Sequence, residues 1–123
     1  MTARILVVED DMDLQEIYAS MLEEDDLQIV PAYDGVDALA QLEHAGADLI
    51  VLDIILDVMM GDELYMRLQQ DARFAEIPVV VVSALPEERC RRMLAVGPTT
   101  AFLRKPFRRK QLQEAIERGL GVR

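Results

Sequence analysis

Short apolar runs alternate with amphipathic stretches along the whole chain. The runs are Ile5–Val8, Leu27–Val30, Leu49–Leu52, Val79–Val82 and Ala101–Leu103. Three of them are almost unbroken aliphatic or β-branched segments, the pattern of parallel strands covered on both faces. Between them the spacing turns helical. Leu14, Ile17, Tyr18, Met21 and Leu22 recur at intervals of three and four, with Asp11 and Asp13 at the N-terminal end as caps or dipole partners. A second helix is predicted from the Asp34 cap, with Val36, Leu39 and Ala40 inward, to near Gly46. A third runs from about Met60 through Leu64 and Leu68. A fourth begins around Pro86 and stops near Gly97-Pro98. The last turns Leu112, Ala115, Ile116 and Leu120 to one side, and Arg109, Lys110, Gln113 and Glu117 to the other.

Five β-α repeats joined by short connections predict an α/β fold, a doubly wound parallel five-stranded sheet with right-handed crossovers. In such folds the site lies outside the carboxyl ends of the strands. Those ends are polar here. The first strand runs into Glu9-Asp10-Asp11, the third into Asp53, the fourth into Ser83 and the fifth into Arg104-Lys105-Pro106. Carboxylates converging on one rim repel one another, and a hard divalent cation with oxygen ligands relieves the repulsion. Mg²⁺ is the expected ion.

Composition narrows the choice of function. The 123 residues carry 13 Lys+Arg against 23 Asp+Glu, a formal net charge of -10, and are 51% hydrophobic. One domain over residues 1–123 is expected, too apolar for a disordered acidic chain and without the ~20-residue apolar run of a membrane span. The first apolar run ends at Glu9, too short for a secretory signal, so the cytoplasm is the expected location. The one cysteine, Cys90, can form neither an internal disulfide nor a zinc site by itself, and is read as an ordinary helix residue. Charge is uneven: residues 1–88 hold 3 basic and 21 acidic side chains, residues 89–123 hold 10 and 2. The basic third lacks interleaved aromatics and the overall charge repels phosphate, so no direct contact with nucleic acid is expected. His44 lies among residues that form no site and is read as a solvated surface residue.

Five segments taken together resemble the receiver domain of two-component response regulators. They are Ile5–Asp11, Asp34-Gly35 followed by Ala38-Leu39, Asp48–Asp53, Ile77–Ala84 and Lys105-Pro106-Phe107. The resemblance spans essentially the whole chain and implies the flavodoxin-like strand order 2-1-3-4-5. It implies that Asp53 accepts a phosphoryl group from a histidine kinase or phosphotransfer protein. By the same resemblance Asp10 is a direct Mg²⁺ ligand, Glu9 the other member of the acidic pair, and Asp53 with the backbone carbonyl of Ile55 completes the metal set. Ser83 matches the hydroxyl that binds a phosphoryl oxygen and starts the switch, and Lys105 the pairing lysine; Phe102 stands where the family often has a ring that turns inward, the competing reading being an ordinary core phenylalanine. The Lys105-Pro106 bond resembles the family's cis peptide. Such a protein is a signalling phosphoacceptor that catalyses only its own phosphorylation and dephosphorylation, and acts on a downstream target protein or output domain.

The chain also departs from the family pattern. Asp57 stands where receivers usually have proline, Met60 replaces the usual acidic residue before Gly61, and the stretch from Gly97 to Phe102 is one residue longer than common. Two rival readings stay open. One is a receiver-like interaction domain that is never phosphorylated; the other is an aspartyl-phosphate hydrolase, a chemistry that usually wants a second aspartate where this chain has Ile55. No output domain is expected after the fifth helix, which leaves either a stand-alone regulator acting by protein contact or a receiver excised from a longer protein. Homodimerisation through the last helix and strand is left undecided by charge and pattern.

Overall fold

The computed structural model describes residues 2–54, 60–94 and 100–121, and of residues 60–62 the backbone alone. The elements alternate as β1 (Ala3–Val8), α1 (Met12–Met21), β2 (Leu27–Ala32), α2 (Gly35–Ala45), β3 (Leu49–Asp53), α3 (Met60–Gln70), β4 (Val79–Ser83), α4 (Glu87–Met93), β5 (Thr100–Arg104) and α5 (Arg109–Leu120). All strands pair in parallel in the order β2-β1-β3-β4-β5. This is the predicted strand order.

The unbroken apolar strands follow from a sheet covered on both faces. Because side chains alternate, Ile5, Val7, Leu49, Val51, Val80 and Val82 pack with Tyr18 and Leu22 of the α1 side and with Leu112, Ala115 and Ile116 of α5. Leu6, Val8, Ile50, Leu52, Val79 and Val81 pack on the opposite face with Ala38 and Leu42 of α2 and Leu64, Tyr65 and Leu68 of α3. Two cores thus clamp β3, and the polar residue that ends it is carried on the most buried strand of the rim.

Three inward assignments need correcting. Ile17 is 48% and Val36 79% exposed, and Ala40 is exposed as well. In α1 the buried line runs through Gln15, Tyr18 and Leu22, because a polar amide, invisible to hydrophobic periodicity, is drawn beneath the sheet edge. In α2 the buried line is Ala38 and Leu42, with Leu39 at its margin; Val36 and Ala40 lie on the far side of the helical wheel. Both caps hold: Asp11 accepts from the N–H groups of Asp13 and Leu14, and Asp34 from that of Asp37. Gly46 closes α2 with φ 67°, a left-handed position open to glycine.

The fourth helix is shorter than its sequence pattern. Pro86 is the residue before the first turn, and Leu94 already leaves in an extended conformation because its side chain is buried in the core. Asp57, Ile55 and Gly97-Pro98 lie outside the described residues.

Candidate functional site

The site is assembled where β1, β3, β4 and β5 end. Glu9 extends the β1 ladder by donating its N–H to Ala32 O at 2.9 Å, which carries its side chain under the rim, where it is 1% exposed. Its Oε2 accepts from Asp11 N at 2.8 Å. The backbone at this corner is pinned by Gln15, whose buried Nε2 donates to Val7 O at 2.9 Å, Glu9 O at 3.0 Å and Ala32 O at 3.1 Å. Asp10 is exposed beside it.

Asp53 ends β3 opposite Val82 and is also 1% exposed. Its Oδ2 takes two donors: Lys105 Nζ at 2.7 Å and the Tyr18 hydroxyl at 3.0 Å. Lys105 reaches it from the segment after β5, where Lys105 N donates to Ser83 O at 2.8 Å and the Lys105-Pro106 peptide is cis, as the motif predicts. Ser83 is buried at the end of β4 with its Oγ accepting from Leu85 N at 3.0 Å.

Two buried carboxylate oxygens, Glu9 Oε1 and Asp53 Oδ1, have no hydrogen-bond partner. Burial above all, then the nearby Asp53 and Asp10 carboxyls, pushes the Glu9 carboxyl up to about 8, against the pull of the Asp11 N–H. The Tyr18 hydroxyl is raised far above its ordinary value, first by burial and then by the Asp53 charge, so it stays protonated and serves as a donor.

This arrangement fits the expected cation. Among the described residues no three metal-ligating side chains form a ready-made cage. Two buried carboxylates with orphaned oxygens beside the exposed Asp10 instead suit an ion that keeps several waters, as Mg²⁺ does. Ile55, the expected carbonyl ligand, lies outside the described residues.

The remaining predicted residues stand close by. Phe102 on β5 is half-buried against the core, with the Arg91 guanidinium 4.7 Å over its ring. A cavity of about 60 Å³ is lined by Ser83, Leu85, Cys90 and Phe102 among others, so it joins the end of β4 to the ring. His44 is exposed, as the sequence suggests, and Cys90 lies on α4, as expected, with its side chain buried. Two residues with a role at the rim were missed by sequence reasoning. Tyr18 looks like any core aromatic at helical spacing, and Gln15 carries no motif.

A family model described as "Response regulator receiver domain" matches residues 5–117. The phosphate regulon transcriptional regulatory protein PhoB of Escherichia coli (strain K12) is 36% identical over 118 residues, 95% of this chain and 51% of that protein. Sensor histidine kinase TmoS of Ectopseudomonas mendocina is 34% identical over 113 residues, 92% of this chain and 12% of that protein. The chain therefore spans about half of one relative and a small part of the other. Among solved structures, the receiver domain of sensor histidine kinase PA1611 from Pseudomonas aeruginosa PAO1 superposes with a TM-score of 0.84 at 26% identity, covering 99% of this chain and 100% of that one. That structure has a magnesium ion coordinated in the active site cleft.

Proposed function

Because the chain belongs to the response regulator receiver domain family, we propose that it accepts a phosphoryl group on Asp53 from a histidine kinase or phosphotransfer protein, in a Mg²⁺-dependent reaction, and relays the signal by reshaping a surface that a downstream protein or output domain contacts. The observation that carries this reading is the Asp53 carboxylate, buried and held through one oxygen by Lys105 while the other has no partner.

Asp53 Oδ2, the oxygen that Lys105 holds, is the one that attacks phosphorus, and the orphaned Oδ1 is left for the metal. Glu9, Asp10, Asp53 and the Ile55 carbonyl would hold Mg²⁺, which when bound supplies compensation for charge on the phosphoryl oxygens. Lys105 moves from carboxylate to phosphoryl oxygen as negative charge shifts outward, and the Ser83 hydroxyl leaves Leu85 N to donate to another. Its departure enlarges the cavity beside Phe102, and the ring turns into it, leaving Arg91 and remodelling the α4-β5-α5 face. The chain catalyses only its own phosphorylation and dephosphorylation. Among the described residues no helix is long and apolar enough to cross a membrane, and we place the reaction in the cytoplasm, where kinase phosphodonors reside.

Intact mass after incubation with acetyl phosphate and Mg²⁺ tests the reading. One phosphoryl group is expected on the wild type and none on Asp53→Asn or with EDTA. No gain on the wild type, with Mg²⁺ binding also absent by titration, overturns phosphotransfer and leaves an interaction domain that keeps the fold.

A further inference from the structure

Tyr18 enters the site from α1, an element that contributes no other side chain to Asp53. Its hydroxyl is buried, donates to Asp53 Oδ2 at 3.0 Å, and shares that oxygen with Lys105. Its ring stacks on Phe107, centroids 6.2 Å apart at 21°, so the phenol is braced against the segment that delivers Lys105. Resting on the reading of Asp53 as the phosphoacceptor, the geometry points to Tyr18 as a positioning residue that shortens the lifetime of the phosphorylated state.

The chemistry follows from where charge sits. Oδ2 is the oxygen that forms the bond to phosphorus, the orphaned Oδ1 being left for the metal. In the acyl phosphate Oδ2 bridges carbon and phosphorus, carries no charge and is a weak acceptor. Hydrolysis reverses this: water adds to phosphorus, the bond from phosphorus to Oδ2 breaks with its electron pair returning to Asp53, and both water protons leave with dihydrogen phosphate. The carboxylate charge is largely restored in a loose transition state. Tyr18 therefore binds the transition state and the free carboxylate more strongly than the acyl phosphate, since a hydrogen bond to a charged acceptor is worth about twice one to a neutral acceptor.

Tyr18→Phe removes one oxygen atom and keeps the ring against Phe107. Wild type and variant are labelled with acetyl phosphate and Mg²⁺, freed of donor by rapid desalting, and followed by intact mass. The variant is expected to lose its phosphoryl group about fivefold more slowly. A merely loosened core admits water and gives faster loss, so the sign separates positioning from packing. Equal or faster loss overturns the role of Tyr18, whereas a wild type that takes no phosphoryl group overturns the phosphoacceptor reading itself. A second readout needs neither metal nor phosphate. With three tyrosines and no tryptophan, tyrosine emission is directly visible. Asp53→Ala, which removes the carboxylate that quenches the phenol, is expected to raise emission in the wild-type background and not in Tyr18→Phe. No rise in either background overturns the hydrogen bond on which the role depends.

Discussion

Metal-free protein is expected to be more stable at pH 5 than at pH 8, by about 2–4 kcal/mol, with Glu9→Gln abolishing most of the difference. The Glu9 carboxyl titrates near 8 in the folded chain and near its ordinary 4.5 in the unfolded one. Between those values the native state holds a proton that the unfolded chain has released. Stability therefore falls as pH rises through the window, and the loss is complete only above about 8. The amide of Glu9→Gln cannot ionise and can donate toward the orphaned Asp53 Oδ1, so the variant should be flat over this range and more stable than the wild type at pH 8. The half-buried Asp71 carboxyl works in the opposite direction, being held low by hydrogen bonds from Arg73, yet its contribution is lost only below its ordinary value of 3.8 and leaves this window untouched. Urea unfolding in EDTA at several pH values measures the effect. Wild-type stability that is constant or rises between pH 5 and 8 would contradict it. Mg²⁺ should restore stability at pH 8 and do little at pH 5, where it competes with a proton for Glu9.

Gln15→Leu is expected to lower stability by about 2–3 kcal/mol at neutral pH, despite being close to the same size and more hydrophobic. The lost amide leaves Val7 O and Glu9 O without their side-chain donor in a buried corner, while Ala32 O retains Glu9 N. Because Glu9 is held in place through that carbonyl, Mg²⁺ affinity should weaken in the same variant although Gln15 touches no proposed ligand side chain. Unfolding midpoints and a Mg²⁺ titration on one sample read both. A change below about 0.5 kcal/mol would mean that water or a small backbone shift replaces the amide.

What the sequence discloses is set by periodicity and by position at strand ends. Period-two burial on two faces makes the strands nearly continuous in apolar residues, and the polar residue that breaks each run is automatically a rim residue. Glu9, Asp53, Ser83 and Lys105 are legible for that reason, and the pairing of Lys105 with Asp53 follows once β3 and the end of β5 point the same way. Residues acting from a helix are not legible in this way. Tyr18 satisfies the apolar pattern with its ring while its one oxygen reaches the site, and Gln15 violates the pattern because hydrogen bonds, not apolar area, draw it inward. The same blindness misassigned Ile17, Val36 and Ala40: a hydrophobic side chain on a helix need not face the core, since much of a folded surface is apolar. The end of α4 was overextended because Leu94 is as good a helix former as it is a core residue, and tertiary burial decided between them.

The strand order leaves two open margins, and β2 occupies one of them. Ala32 turns its carbonyl to Glu9 N, and Asp26 turns its own to Ala3 N, so the even-numbered positions of this strand face β1 and Pro31 faces outward. A proline there offers no N–H to an approaching chain, which interrupts the row of donors that a sixth strand would need. The other margin, β5, is only five residues long and finishes in the charged Arg104. Both borders thus discourage strand addition, and self-association by sheet extension into fibrous aggregates is disfavoured at the concentrations where edge pairing becomes a hazard.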